Sequence, residues 1–355
     1  MVESIYDMIV SSSNRRMLRQ VLEFPQLLAR GIEDGLEVAE DGGIIHCEGS
    51  SVRVYWYGMG ASALIGDYIR AYCLYSKSKE SLEVFVERSH ELKYDPNENA
   101  LYVFYSYSGN TFETLCTFRK ALTSIPAEKI ITFSSGGKIG EIAKDKGIIN
   151  ISIPSGYVSR SHFPYGLGAA VAVLSKYLGN LDILSEIKEA VDIIAEDISS
   201  DMIEYAKVLN LTARKMASKI AVLMADYTLE PVARRFIAQL NENSKHFATF
   251  FEIPEGCHNF IVGIRHMHKK CFMVVLRRES EDEFIRNTIN TLTRHILKCD
   301  CLEYKIEDGE TYSWSTLLKP TFFIDLLSIF LADIKGENAF DITEIVSFKQ
   351  SIGGG

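Results

Sequence analysis

From about residue 52 the hydrophobic pattern alternates short β-rich runs with helix-length segments, which predicts βα units around a parallel sheet. Five runs read as strands: VRVYWY, LEVFVE, ALYVFYS, KIITFS and INISIP. Their helices are expected to start near Ala61, Phe112, Ile139 and Tyr165, each behind a loop of Gly, Ser, Thr, Asn or Pro that can stop a strand and cap a helix. These make a first half over 52–178. Acidic residues and Leu/Ile at helical intervals then predict a helical connection over 179–214. A second βα series, 215–355, runs through KIAVLMA, a helix over 231–245, the strand CFMVVLR, a helix over 282–298 and CLEYKI. Helices over about 313–334 and 341–351 close the chain. Residues 1–51 read as a helical N-terminal extension with no function assigned. The expected class is α/β: two parallel-sheet subdomains packed together, with helical N-terminal, linking and C-terminal segments.

The length of 355 residues fits that division, since one domain usually spans roughly 100 to 200. Hydrophobic residues at 47% and charged residues at 24%, with no low-complexity tract, are the mix of a chain that folds throughout. No apolar run approaches the ~20 residues that cross a bilayer, and MVESIYDMIVSSSNRR carries acids where a signal peptide needs basic residues. A cytoplasmic protein without a membrane partner is expected. The seven cysteines, odd in number and scattered, fit reduced thiols. A net charge of -9 without a Lys/Arg cluster excludes a nucleic-acid surface. An anionic small molecule needs only a few local donors and remains the expected partner.

Candidate donors gather in the loop Ser106-Tyr107-Ser108-Gly109-Asn110-Thr111, between the strand ALYVFY and the helix FETLCTFRKAL. Unpaired NH groups and the helix dipole favour an anion there, and Ser106, Ser108 and Thr111 add hydroxyls. Plain helix capping would use the same residue types, and the pattern leaves both readings open. A second loop, Gly58-Met59-Gly60-Ala61-Ser62, enters the helix ALIGDYIRAYC, so two strand-to-helix turns could face one ligand. Gly58, Gly60 and Ala63 also fit a loose dinucleotide fingerprint with Glu87 on the next strand, but that reading leaves the hydroxyl loop without a role.

Proton-transfer groups lie further on. Glu242 falls late in the helix that follows Pro231, and His258 in a Pro/Gly-containing loop; a carboxylate and an imidazole suit proton transfer near neutral pH, although solvated or structural roles are open to both. Arg160, in IPSGYVSRSHFPYG, follows a strand and could hold an anion, a developing enediolate or a backbone carbonyl. His266 and His268 near Cys257 and His258 match no standard ligand spacing, so no metal is expected.

The segments GMGASALIGD, SYSGNTFETL, PSGYVSRSHFPYG, LEPVARRFIAQLNENSK and PEGCHNFIVG, in that order across roughly 52–351, resemble the bifunctional phosphoglucose/phosphomannose isomerases of the sugar isomerase (SIS) domain superfamily. The resemblance implies two flavodoxin-like SIS halves, a homodimer with an active site shared between subunits, and no cofactor. The implied activity interconverts glucose 6-phosphate, and mannose 6-phosphate as well, with fructose 6-phosphate. It further implies that Gly60, Ala61, Ser62, Ser106, Ser108 and Thr111 hold the phosphate and that Glu242 shuttles the proton between carbons 1 and 2. Arg160 would stabilise the enediolate, His258 would help open the ring from the neighbouring subunit, and Lys349 would be the lysine near the chain end. The chain departs from the family pattern at Ala61, Ala63, Leu64 and Phe112, and ENAFDITEIVSFKQ matches it loosely. A non-catalytic sugar-phosphate sensor and an isomerase of an amino-sugar phosphate are the alternatives.

Overall fold

The structure, a computed structural model, describes residues 13–41, 52–76, 82–93, 100–179, 182–200, 202–309 and 311–351. Positions 1–12 and 42–51 of the expected N-terminal extension, and 180, 181 and 201 of the expected connection, lie outside the described residues. The chain forms two compact units that do not follow its linear order. The first comprises Phe24–Leu74, Ser78–Val191 and Ile342–Gly355; the second comprises Met1–Glu23, Tyr75–Lys77 and Asp192–Asp341.

After α1 (Arg15–Leu22), which belongs to the second unit, the first unit opens on α2 (Phe24–Asp41). It continues through β1 (Val52–Tyr57), α3 (Ala61–Tyr75), β2 (Leu82–Glu87), β3 (Ala100–Tyr105) and α4 (Phe112–Ala121). β4 (Ile130–Ser134), α5 (Gly137–Lys146), β5 (Ile149–Ser152) and α6 (Phe163–Leu178) complete the series. All strands pair in parallel, in the order β2-β1-β3-β4-β5. The continuous apolar run of β3 is buried at every position, as a central strand covered on both faces must be. At the edge, β2 alternates Leu82 and Val84 inward with Glu83 and Phe85 outward. Register neighbours stack across the sheet, Tyr55 lying 5.2 Å from both the Phe85 and Tyr102 rings.

The place of α2 follows from two glycines. A Cβ on Gly31 would stand 2.1 Å from the Tyr165 carbonyl oxygen, and one on Gly168 would stand 2.3 Å from that of Leu28. Only glycine lets the α2 and α6 backbones come so close, and this contact joins the N-terminal helix to the first sheet's unit.

The second unit follows α7 (Asp182–Ser200), which runs across the unit boundary, and α8 (Met202–Met216). Its elements are β6 (Ile220–Asp226), α9 (Glu230–Ser244), β7 (Ala248–Ile253), α10 (Phe260–Met267), β8 (Cys271–Arg278), α11 (Glu283–Thr291), β9 (Asp300–Ile306) and α12 (Trp314–Lys335). The strands are again parallel, in the order β7-β6-β8-β9. β7 is absent from the sequence reading; its burial does not alternate regularly, so its edge position leaves no period-2 signal. The helix expected over 282–298 stops at Thr291 and passes into a π-helical turn, Leu292–Ile296. α12 starts behind a reciprocal Ser313/Thr316 capping box and is buried along most of its length. α13 (Thr343–Ser351), grouped with the first unit, has no buried residue. No described helix is long and apolar enough to cross a membrane.

A polar ladder fixes α9 on α12. Arg235 donates from Nε to Asp325 Oδ1 at 2.8 Å and from Nη2 to Asp325 Oδ2 at 2.5 Å, and Gln239 Nε2 donates to Asp325 Oδ1 at 2.6 Å. One turn further on, Asn243 Nδ2 donates to Ser328 Oγ at 2.8 Å. Arg235 and Asp325 are 1% and 2% exposed, so each charge depends on the other for solvation.

Candidate active site

In the first sheet β2 lies on one side of β1, and β3 on the other, so the chain reverses its direction of winding between β1 and β3. Loops after two such strands leave in opposite senses and open a crevice at their carboxyl ends, the usual ligand position of open α/β sheets. The two loops singled out in the sequence are the ones that flank it. Gly58 to Ser62 follow β1, and Ser106 to Thr111 follow β3.

After β1, Gly60 takes the left-handed backbone conformation (φ +53°) and α3 begins at Ala61. The Trp56 indole donates to the Ser62 carbonyl at 2.8 Å, anchoring the helix start to the strand, and Ser62 is buried. After β3, Ser106 Oγ donates to Thr111 Oγ1 at 2.9 Å and accepts from the Thr111 NH at 3.4 Å, while Ser108 Oγ accepts from the Asn110 NH at 3.2 Å. Thr111 stands at the N-cap of α4 without a side-chain capping bond. The hydroxyls therefore shape the loop rather than cap the helix. Thr114, in the first turn of α4, is buried with no partner for its hydroxyl among the described residues.

A third loop packs against the hydroxyl loop. Gly109 (φ +67°) lies so near the β4–α5 loop that a Cβ would stand 1.8 Å from the Gly136 carbonyl oxygen. The Ser135 NH donates to the Tyr107 carbonyl at 2.9 Å, and the Ile139 NH to that of Gly109 at 3.0 Å.

Arg160, 5% exposed, lies in the segment between β5 and α6. Tyr107, from the middle of the hydroxyl loop, donates its OH to the Tyr157 carbonyl at 2.8 Å and so ties that loop to the arginine's own. Two residues after Arg160 comes His162, which sequence reasoning passed over. It is 1% exposed, and its ring lies 5.5, 5.2 and 4.6 Å from those of Tyr107, Tyr157 and Tyr165. Neither ring nitrogen has a hydrogen-bond partner among the described residues. Burial, with Arg30 nearby, lowers its pKa to about 4, so the ring is neutral at working pH. A buried polar group left unbonded costs about 1–3 kcal/mol.

The second unit carries the proton-transfer candidates. Glu242 is half-buried on α9, on the same face as Arg235 and Gln239, seven and three residues before it. His258 is exposed at the end of the turn Glu255–His258 that follows β7. Nearby in sequence, Glu252 at the end of β7 is held above the ordinary carboxylate range, first by burial and then by Glu230 and Glu255, against the pull of Arg234. Lys349 is exposed on α13, in the unit of the first sheet. Among the described residues no group of three or more His, Cys, Asp or Glu is placed to hold a metal ion.

The second sheet has a reversal of its own, between β6 and β8, and its loops are bonded differently. There Asp308 accepts from the Ser280 NH at 3.1 Å, from Ser280 Oγ at 2.7 Å and from Arg278 Nε at 2.8 Å. Arg278 also donates to Thr228 Oγ1 at 3.1 Å and lies over the Tyr312 ring.

Two parallel sheets, each with a reversal of strand order, thus define an α/β protein whose hydroxyl-rich loops flank the reversal of the first sheet. The chain belongs to the bifunctional phosphoglucose/phosphomannose isomerase family. A bifunctional phosphoglucose/phosphomannose isomerase of Pyrobaculum calidifontis is 31% identical over 248 residues, 70% of this chain and 74% of that protein. The family model of the bacterial phospho-glucose isomerase C-terminal SIS domain matches residues 205–352. A D-glucosamine-6-phosphate 4-epimerase of Sulfolobus acidocaldarius is 29% identical over 239 residues, 67% of this chain and 72% of that protein. Among solved structures, a hypothetical protein from Thermus thermophilus shares the fold with a TM-score of 0.69 at 15% identity, covering 98% of this chain and 96% of that one.

Proposed function

We propose that this chain interconverts glucose 6-phosphate, and mannose 6-phosphate as well, with fructose 6-phosphate through an enediolate, using its own acid–base residues. Family membership supports the reaction, and the observation that carries the site is the hydroxyl loop beside the β1/β3 reversal, tied through Tyr107 to the segment bearing Arg160. In this reading Gly60, Ala61 and Ser62, with Ser106, Ser108 and Thr111, hold the phosphate, so binding energy at the unreactive end aligns carbons 1 and 2. Glu242 takes the proton from carbon 2 of the open-chain aldose and returns it to carbon 1, while the hydroxyl proton passes from oxygen 2 to oxygen 1. Arg160 balances the negative charge that builds on those oxygens between the two transfers. Return of the proton to either face of carbon 2 gives either aldose.

His258 is assigned to opening the sugar ring in the site of a second copy of the chain, a role its exposed position suits. This makes a homodimer part of the proposal, as is the assignment of Lys349. The linear division into an extension, two sugar-isomerase halves and a helical connection is retained as a description of the motifs. A cytoplasmic location fits a phosphorylated sugar substrate and the free thiols of Cys116, Cys257, Cys271, Cys299 and Cys301.

The test is turnover of glucose 6-phosphate, mannose 6-phosphate and fructose 6-phosphate in the presence of a chelator. Conversion of both aldoses at a rate the chelator leaves unchanged is the expected result. Sugar-phosphate binding without turnover would instead mark a sensor. Glucosamine 6-phosphate belongs in the same assay because of the epimerase relative; turnover of it alone would move the substrate to the amino sugars. The phosphate assignment has its own check. Replacing Ser106 and Thr111 together by Ala should raise KM by at least about tenfold to a hundredfold, the scale of losing even one of their two hydrogen bonds to a charged group, and unchanged KM would place the phosphate elsewhere.

A further inference from the structure

His162 has no part in the chemistry proposed above, yet it joins two of the loops that chemistry uses. Its ring packs against Tyr107 from the hydroxyl loop and Tyr157 from the arginine segment, with Tyr165 of α6 as the third wall. Two of these tyrosines commit their hydroxyls elsewhere: Tyr107 to the Tyr157 carbonyl, and Tyr165 to Asp34 at 2.8 Å and the Ser152 carbonyl at 3.2 Å. Arg30, paired with Asp34 at 3.5 Å, is the nearby charge from α2 and opposes protonation of the imidazole. A neutral imidazole carries one N–H and one lone pair, and here neither has a partner among the described residues.

A phenylalanine would pack among these aromatic faces without burying two polar atoms. Local conflicts of this kind are expected where function, rather than stability, decides the residue. We infer that His162 is a positioning residue for Arg160, an imidazole held between the phosphate loop and the arginine segment whose ring nitrogen is hydrogen-bonded only in the ligand-bound site. The inference rests on the isomerase reading and adds to it a residue that acts through Arg160 rather than on the sugar.

The experiment compares full-length His162→Phe and His162→Gln with wild type in kcat, KM and urea unfolding midpoint, and follows the wild-type ring nitrogens by NMR as fructose 6-phosphate is added. Phenylalanine should lower kcat by about a hundredfold, the scale of a small misplacement of a catalytic group, with KM nearly unchanged and the unfolding midpoint no lower. Glutamine, which keeps an N–H, should recover part of kcat. The ring-nitrogen resonances should move on saturation with the sugar phosphate. Full kcat in the phenylalanine variant overturns the inference, as does a loss confined to KM. Should that variant fail to fold, the NMR decides, and unmoved resonances at saturation overturn it. Wild-type protein without turnover refutes the isomerase reading itself, a result this control separates from failure of the His162 role.

Discussion

Glu242→Gln is expected to lower kcat by about 10²- to 10⁴-fold while leaving the affinity for fructose 6-phosphate close to wild type. The amide keeps the shape and hydrogen-bonding reach of the carboxylate but cannot accept the proton that leaves carbon 2. Phosphate affinity is assigned to loops of the first sheet's unit, so binding and turnover should separate in this variant. Pre-steady-state binding measured beside steady-state turnover makes the check. A variant that keeps wild-type kcat would remove Glu242 from the base role, and Glu252 would be tested next, because burial and two neighbouring carboxylates raise its proton affinity.

Asp325→Ala carries the largest expected cost in stability, about 3–5 kcal/mol, because it leaves the Arg235 guanidinium buried without a counter-charge and removes the acceptor of Gln239. Urea unfolding monitored by circular dichroism reads it directly. The double variant Arg235→Met/Asp325→Leu should recover most of the loss, since apolar residues of similar volume avoid the desolvation that the pair has to offset. A single variant as stable as wild type would mean that solvent or another group replaces Asp325. Because Glu242 lies on the Arg235 and Gln239 face of α9, the single variant should also lose kcat at temperatures where it stays folded.

Much of the first sheet was legible because its strands are short apolar runs bounded by glycine and hydroxyl residues, and both loops at the β1/β3 reversal could be placed before any coordinates. What the loop hydroxyls bond to was not legible: the sequence shows Thr111 before a helix, whereas the missing capping bond is a matter of geometry. β7 escaped for a different reason. Phe250 and Phe251 interrupt the alternation, and the strand lies at the sheet edge between the end of α9 and Pro254. The packing of α2 also had to await the structure, because Gly31 reads in sequence as a weak point of a helix and in three dimensions as a seat for the Tyr165 backbone. His162 carries no motif at all. Its interest comes from burial and from two nitrogens whose partners can be counted only in space.

The Asp308 network at the β6/β8 reversal bears on valency. Around that carboxylate converge a backbone NH, a serine hydroxyl and a guanidinium, the donor set that would otherwise suit a phosphate oxygen. At the second sheet those donors are already taken by a carboxylate of the chain itself, so a dissolved anion would have to compete there with a tethered one. Under the proposed function the repeat divides labour instead of doubling capacity: the first reversal is left to the ligand, and the donors of the second are taken by Asp308.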